Sequence, residues 1–302
     1  MAREDDPGPV WPAYLACAAA VLIWAGWIIV TRYAMTERVD SAALALFRYG
    51  LPALVLAPVW LRRGPVPRGA PLWALALMTL GWGAPFVFWT AEGLKTVPAA
   101  LFGPLVPGLL PIAVALLARA VLGEPVSRGA RLGSLLMGLS VALILGQWLV
   151  EGDRAALAGV PFLLMGMLGW AVYAILFRRS RLSPLEATAY VGLWSLPILG
   201  VAVALRGDPF AGLAPAELAF HAVAQGLVAG VGAVLAFGYA IGRLGVQRAS
   251  ASIALVPVCA ALMGWGLLGE RLGPLDWAAV VAASLGVAAA NGAFSRRTGA
   301  RR

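Results

Sequence analysis

The chain has 302 residues, 61% of them AVILMFWYC and only 12% charged, with a formal charge of +9 at pH 7. A soluble domain carries roughly 25% charged residues, so a chain this apolar cannot give itself a polar surface, and a soluble enzyme or scaffold is excluded. The basic residues flank apolar runs instead of forming one patch, which argues against nucleic acid as a partner and for a lipid bilayer.

Ten apolar runs are long enough to cross a hydrocarbon core of ~30 Å as helices, at about 12–31, 41–61, 71–92, 97–119, 129–149, 157–178, 184–205, 218–241, 248–269 and 274–294. The first is read as a retained helix, because Arg3 is outweighed by Glu4, Asp5 and Asp6 and the run exceeds a signal-peptide core. The expected fold is an all-α membrane protein of ten transmembrane helices. Cys17 and Cys259 both fall inside these runs and read as small packing residues.

The chain repeats itself at an offset of 146 positions. Trp24-Ala25 and Arg32 return as Trp170-Ala171 and Arg178, Pro111 returns as Pro257, and Leu122-Gly123-Glu124 returns as Leu268-Gly269-Glu270. A long duplicated unit in an apolar chain is the mark of a transporter built from two repeats. The division expected is 1–154 and 155–302, with five helices in each half.

Basic residues fix the expected orientation. With the N-terminus in the cytoplasm, the inner segments hold Arg3, Arg62, Arg63, Arg68, Arg119, Arg128, Arg131, Arg178, Arg179, Arg181, Arg243, Arg248, Arg296, Arg297, Arg301 and Arg302. The outer loops hold only Arg32, Arg38, Lys95, Arg154, Arg206 and Arg271. Both termini are therefore expected in the cytoplasm, and five helices per half turns the second repeat upside down. Lys95 is the only lysine among 23 basic residues; this arginine bias, with abundant Ala and Gly, points to a GC-rich genome and a bacterial inner membrane.

Leu22-Ile23-Trp24-Ala25, Phe47-Arg48, and Leu110-Pro111 through Leu122-Gly123-Glu124 form an ordered series. The second half repeats it as Gly169-Trp170-Ala171 and Val256-Pro257 through Leu268-Gly269-Glu270. In this series the chain resembles the EamA family of the drug/metabolite transporter superfamily over residues 13–294. Its aromatic first, third and sixth helices look most like the bacterial exporters of aromatic and other neutral amino acids. The resemblance implies a central cavity lined by helices 1, 3, 4, 6, 8 and 9, with 5 and 10 peripheral. It also implies export by alternating access, with a small-molecule substrate and no cofactor. A monomer is expected.

Several residues are candidates for handling such a solute. In the third helix Trp82, Phe86, Trp89 and Glu92 share one face, interleaved with Gly81, Gly83 and Pro85, which weaken the helix. Such a stripe either stacks a planar substrate and meets an ammonium group, or anchors the helix at the interface. Trp24 and Trp27 correspond to Trp170 and Tyr173 in the sixth helix, and inverted repeats bring such pairs toward the midplane. Tyr239 in the eighth helix, and Ser250 and Ser252 before Pro257, complete the substrate-binding candidates, the serines as hydroxyls for a carboxylate.

Pro104, Pro107 and Pro111 kink the fourth helix and Pro257 the ninth, as gating points or as static bends. Arg48 lies inside the second helix, where it either binds a carboxylate or snorkels outward. Glu92 faces Lys95 three residues on, which an ordinary ion pair explains equally well. His221, the only histidine, starts the eighth helix as a proton relay or a structural residue. Gly123-Glu124 and Gly269-Glu270 read as helix stops, and Gly226/Gly230 with Gly238/Gly242 as packing surfaces.

One histidine rules out an H-E-x-x-H metal site, and no metal is expected. An intramembrane serine–histidine pair of Ser140 and His221 is the only enzymatic reading left. Neither the first nor the sixth helix carries an interior acid. That departs from the small multidrug exporters of the superfamily and favours facilitated transport of a neutral solute. The alternative is an exporter of another small metabolite or drug, proton-coupled.

Overall fold

The computed structural model describes residues 9–37 and 39–292. Arg3, Arg38, Arg296, Arg297, Arg301 and Arg302, which entered the orientation argument, lie outside the described residues.

Every regular element among the described residues is helical. Eight helices are long and apolar enough to cross a membrane: α1 (Trp11–Thr36), α3 (Leu72–Gly93), α4 (Ala99–Leu122), α5 (Arg128–Glu151), α6 (Arg154–Arg179), α7 (Pro184–Arg206), α8 (Pro215–Leu244) and α9 (Val246–Leu268). Between α1 and α3, α2 runs over Ser41–Val55 and continues, after a 58° bend, as Ala57–Arg63. The last, α10 (Pro274–Ala290), is apolar but shorter. Ten apolar segments are thus present, of which eight meet the length expected of a span.

Local chemistry sets the ends. Gly123 and Gly269 close α4 and α9 in the left-handed conformation, at φ 70° and 67°, as the duplicated Leu-Gly-Glu motif predicts. Ser183 and Glu186 start α7 with a reciprocal capping box. Besides the bend in α2, three helices are interrupted where the sequence places Gly and Pro. In α3 the break is at Gly83, and the Ala84 amide it exposes donates to Ser195 Oγ on α7 at 3.1 Å. In α4 the ladder lapses between Leu105 and Leu110, around Pro107. In α9 it tightens to 3₁₀ turns over Ser252–Leu255, just ahead of Pro257.

Helix pairing follows a two-fold pattern between the halves. α2 packs on α7, α4 on α9 and α5 on α10, each on its own counterpart. α3 packs on α6, and the equivalent pair, α8 on α1, does the same. With no hydrophobic drive between helices in lipid, close packing through small residues holds such contacts. A Cβ on Gly81 would lie 2.3 Å from the Gly169 carbonyl oxygen, and one on Gly103 2.6 Å from Pro257 Cα. Gly133 and Gly286 make the equivalent contact between α5 and α10.

Gly226 and Gly230 are likewise pressed against α2. Gly238 and Gly242 are not: a Cβ on either would meet open space, which corrects their reading as a packing surface. The reason is that α8 leaves α2 beyond Gly230, so that Gly238 faces the central cavity and Gly242 is exposed.

Candidate functional site

A cavity of about 290 Å³ occupies the middle of the bundle. It is lined from α1, α3, α4, α6, α8 and α9, the set implied by the resemblance, and also from α2 by Arg48 and α7 by Pro184 and Thr188. Neither α5 nor α10 reaches it, because each spends its small-residue face on the other.

Aromatic rings form most of the wall. Trp82 is the hub, with its ring centroid 4.2 Å from Trp170, 4.3 Å from Phe86 and 5.9 Å from Tyr173. Phe86 stacks on Trp27 at 5.8 Å, Trp27 meets Phe102 edge-on at 5.9 Å, and Tyr173 stacks on Phe177 at 5.7 Å. Trp24 contacts Phe237 of α8 at 5.0 Å. The break at Gly83 leaves the Trp82 carbonyl free of the ladder, and Tyr49 Oη donates to it at 2.6 Å, which holds the hub ring's backbone in place.

Among the described residues, Arg48 is the one charged residue in the wall. It sits in a π-helical turn, Leu46–Gly50, whose extra residue per turn shifts the phase of the side chains along α2. Only 8% of the residue is exposed, and its Nη1 has no hydrogen-bond partner. Its guanidinium carbon lies 5.7 Å from the centroid of the Trp27 ring, and Trp27 Nε1 is also buried without a partner.

Of the sequence candidates, Trp24, Trp27, Trp82, Phe86, Trp170, Tyr173, Arg48 and Pro107 meet at this cavity. Trp24 and Trp170, equivalent in the two halves, line it without a ring contact to each other; each packs on the helix that crosses it. Pro111 lines an adjoining cleft that shares Pro107, Trp170 and Ile253 with the cavity. Pro104 and Pro257 are buried, the latter at the Gly103 crossing.

The other candidates stand elsewhere. Tyr239 is 48% exposed and points away from the cavity; Phe237 and Gly238, on the other face of the same turn, take the place expected of it. Trp89, one turn beyond Phe86 on the second limb of α3, is not among the residues that line the cavity. Glu92 is bound to Lys95 at 2.6 Å on the exposed end of that limb. Ser252 Oγ returns to the Ala249 carbonyl at 2.7 Å, and neither it nor Ser250 lines the cavity. His221 is buried against Phe47 and Phe220. Ser140 Oγ donates to the Ala279 carbonyl at 2.7 Å, so the serine and histidine belong to separate contacts and form no dyad.

Four residues read as repeat markers, topology signals or companions of a helix stop prove to be partners across the halves. Arg32 of α1 lies 3.6 Å from Glu270, which follows α9, and Arg178 of α6 lies 2.8 Å from Glu124, which follows α4. Glu270 also accepts from the Ala99 and Ala100 amides at 2.7 and 2.9 Å, at the start of α4. The signal was available: both pairs join oppositely charged residues that recur at the same offset.

Comparison with known proteins agrees with this architecture. The chain is 30% identical to an uncharacterized protein of Pseudomonas aeruginosa, over 86% of this chain and 88% of the other. It is 29% identical to a probable terminal-alkyne amino-acid exporter of Streptantibioticus cattleyicolor, covering 96% and 95%. A solved crystal structure at 20% identity superposes with a TM-score of 0.61 over 94% of this chain and 98% of that one, which shows a shared fold. The profile of the EamA-like transporter family matches twice, over residues 11–146 and 157–292, and the chain therefore belongs to that family of multi-pass membrane transporters.

Proposed function

We propose that the protein exports aromatic or other neutral amino acids across a bacterial inner membrane by alternating access, as a facilitative carrier. The observation that carries this reading is the cavity wall: stacked aromatic rings, one guanidinium, and no Asp or Glu among the described lining residues. Aromatic faces suit an apolar or planar side chain and attract an ammonium group. Without an acid in the wall, no obvious proton-exchanging group accompanies the solute. The similarity to a protein named as a probable amino-acid exporter supports the same substrate class.

In this reading α2 with its bend and the short α10 complete ten spans, and 1–154 and 155–302 are repeats of opposite orientation with both termini cytoplasmic. The pairing of α2 with α7, α4 with α9 and α5 with α10 supports such a relation. Arg62, Arg63, Arg68 and Arg181, all assigned to the inner side, line one surface hollow, which supports placing them on a single side of the membrane. The protein works as a monomer, since the cavity is complete within one chain.

The test is uptake of labelled tryptophan, phenylalanine and threonine into proteoliposomes, with and without an imposed pH gradient. Saturable uptake that needs no gradient, and that falls at least about tenfold in Trp82→Ala or Trp170→Ala at normal folded yield, is expected. Uptake at the level of empty liposomes for all three would remove the amino-acid assignment. Full activity in both variants would remove the cavity assignment.

A further inference from the structure

Arg48 gives the cavity a chemical preference that an aromatic wall alone does not. A cation inside a membrane bundle costs several kcal/mol unless it is paired, and no acid among the described residues pairs with this one. Its Nη1 is unpartnered, and so is Trp27 Nε1 beside it, both on the same wall. Neither group can accept a hydrogen bond. The site therefore holds two unsatisfied donors and one positive charge for a carboxylate that displaces the rings around them, whereas for an ammonium it offers ring faces and the Tyr173 and Thr188 hydroxyls but no acid.

We infer that Arg48, with Trp27 Nε1, is the carboxylate-binding subsite of this cavity. The class of solute it selects is then a monocarboxylate with an aromatic or apolar body, whose amino group is dispensable. This rests on the cavity being the transport site. It extends that reading by separating the two charged ends of an amino acid: the carboxylate is recognised, the ammonium is tolerated.

Three probes that differ only in those ends test it on the purified, detergent-solubilised protein, by calorimetric titration: tryptophan, indole-3-propionate (carboxylate without amine) and tryptamine (amine without carboxylate). Tryptophan and indole-3-propionate bind with affinities within about fivefold of each other, and tryptamine binds at least tenfold more weakly. Arg48→Gln weakens both carboxylates by roughly 10- to 100-fold, the range of a charge-assisted hydrogen bond, and leaves tryptamine unchanged. Tryptamine binding as tightly as tryptophan, or carboxylate affinities unmoved in Arg48→Gln, overturns the assignment while leaving an amino-acid site standing. If no probe binds the folded protein, the cavity's role falls with it. The ligand series on the unaltered chain decides the matter even if Arg48→Gln fails to fold.

A second and independent observation concerns the cross-repeat ion pairs. Arg32–Glu270 and Arg178–Glu124 are equivalent by the internal repeat but differ in state. Glu270 is docked on the first amides of α4, and Arg32 also donates to the Leu94 carbonyl. Glu124 is hydrogen-bonded to Arg178 and lines the cleft that opens beside Trp170. The repeat equivalents of Ala99 and Ala100 are Gly245 and Val246, at the start of α9.

We propose that these pairs are one gate drawn in its two states, docked at the Arg32 end and released at the Arg178 end. In the opposite-facing state Glu124 caps the start of α9 as Glu270 now caps α4, and Glu270 comes off. The device assumes alternating access.

Maleimide labelling of Ala130→Cys in a Cys17→Ala, Cys259→Ala background reports on the open cleft, which Ala130 lines. Glu270→Gln undocks the closed end, so the cleft shuts more often and the labelling rate falls several-fold. Glu124→Gln leaves the rate unchanged or raises it, and Arg32→Gln reproduces the fall. Equal effects of Glu270→Gln and Glu124→Gln, or no fall in the former, overturn the proposal.

Discussion

The two ends of the bundle carry the same residues and use them differently. At one end Arg32 and Glu270 keep side-chain exposures of 19% and 11%, and the carboxylate holds two backbone amides as well. At the other, Arg178 and Glu124 are 50% and 44% exposed and hold each other. Partial burial and helix capping turn the first pair into a structural clamp, while solvent screening leaves the second with little energy. The internal repeat supplies matched parts, and the conformation decides which copy is engaged.

Substitutions at the two ends sharpen that contrast. The largest effect belongs to Glu270→Ala, which strips two amides and a part-buried arginine of their partner and costs about 2–4 kcal/mol. Glu124→Ala costs no more than ~1 kcal/mol. Thermal unfolding in detergent compares them directly, and equal shifts would break the contrast. Next comes Gly264→Ala, whose Cβ would lie 2.6 Å from Glu270 Oε2 and push the carboxylate off its amides. A loss of about 1 kcal/mol is expected despite the better helix propensity of alanine. A gain in melting temperature would show that Glu270 is not held as tightly as its geometry indicates. The smallest effect is that of Lys95→Ala, close in sequence to the Leu94 contact of the closed end. Its exposed i,i+3 pair with Glu92 contributes roughly 0.2–0.5 kcal/mol, so a melting shift beyond about a degree or two would contradict a purely local role.

The aromatic site was largely legible beforehand. Trp24, Trp27, Trp82, Phe86, Trp170 and Tyr173 all come to the cavity because each lies mid-helix on a helix that faces inward. Trp89 and Tyr239 show the limit of that reasoning. The stripe through Trp82, Phe86 and Trp89 puts all three on one face, but the cavity extends along α3 only as far as Phe86, and a helical period does not tell where a cavity ends. For Tyr239, residue type suggested a role that the phase of α8 denies. The glutamates of the duplicated motif were understood as companions of a helix stop, and their glycines do adopt the stop conformation. Their pairing with arginines more than fifty residues away was invisible to a local reading.

By itself the sequence determined a membrane-embedded helical protein, its internal duplication, its helix breaks and its family. These follow from composition, from an offset shared by many residues, and from the backbone limits of Gly and Pro, none of which needs a neighbour to be known. The tertiary structure alone decided which residues share a cavity, that Arg48 stands in its wall with an unpartnered donor, and that one of two equivalent ion pairs is docked on helix amides while the other is not. Those outcomes depend on helix rotation and on contacts between segments far apart in the chain. A duplicated motif cannot specify which of its two copies is docked, because both copies carry the same arginine and glutamate.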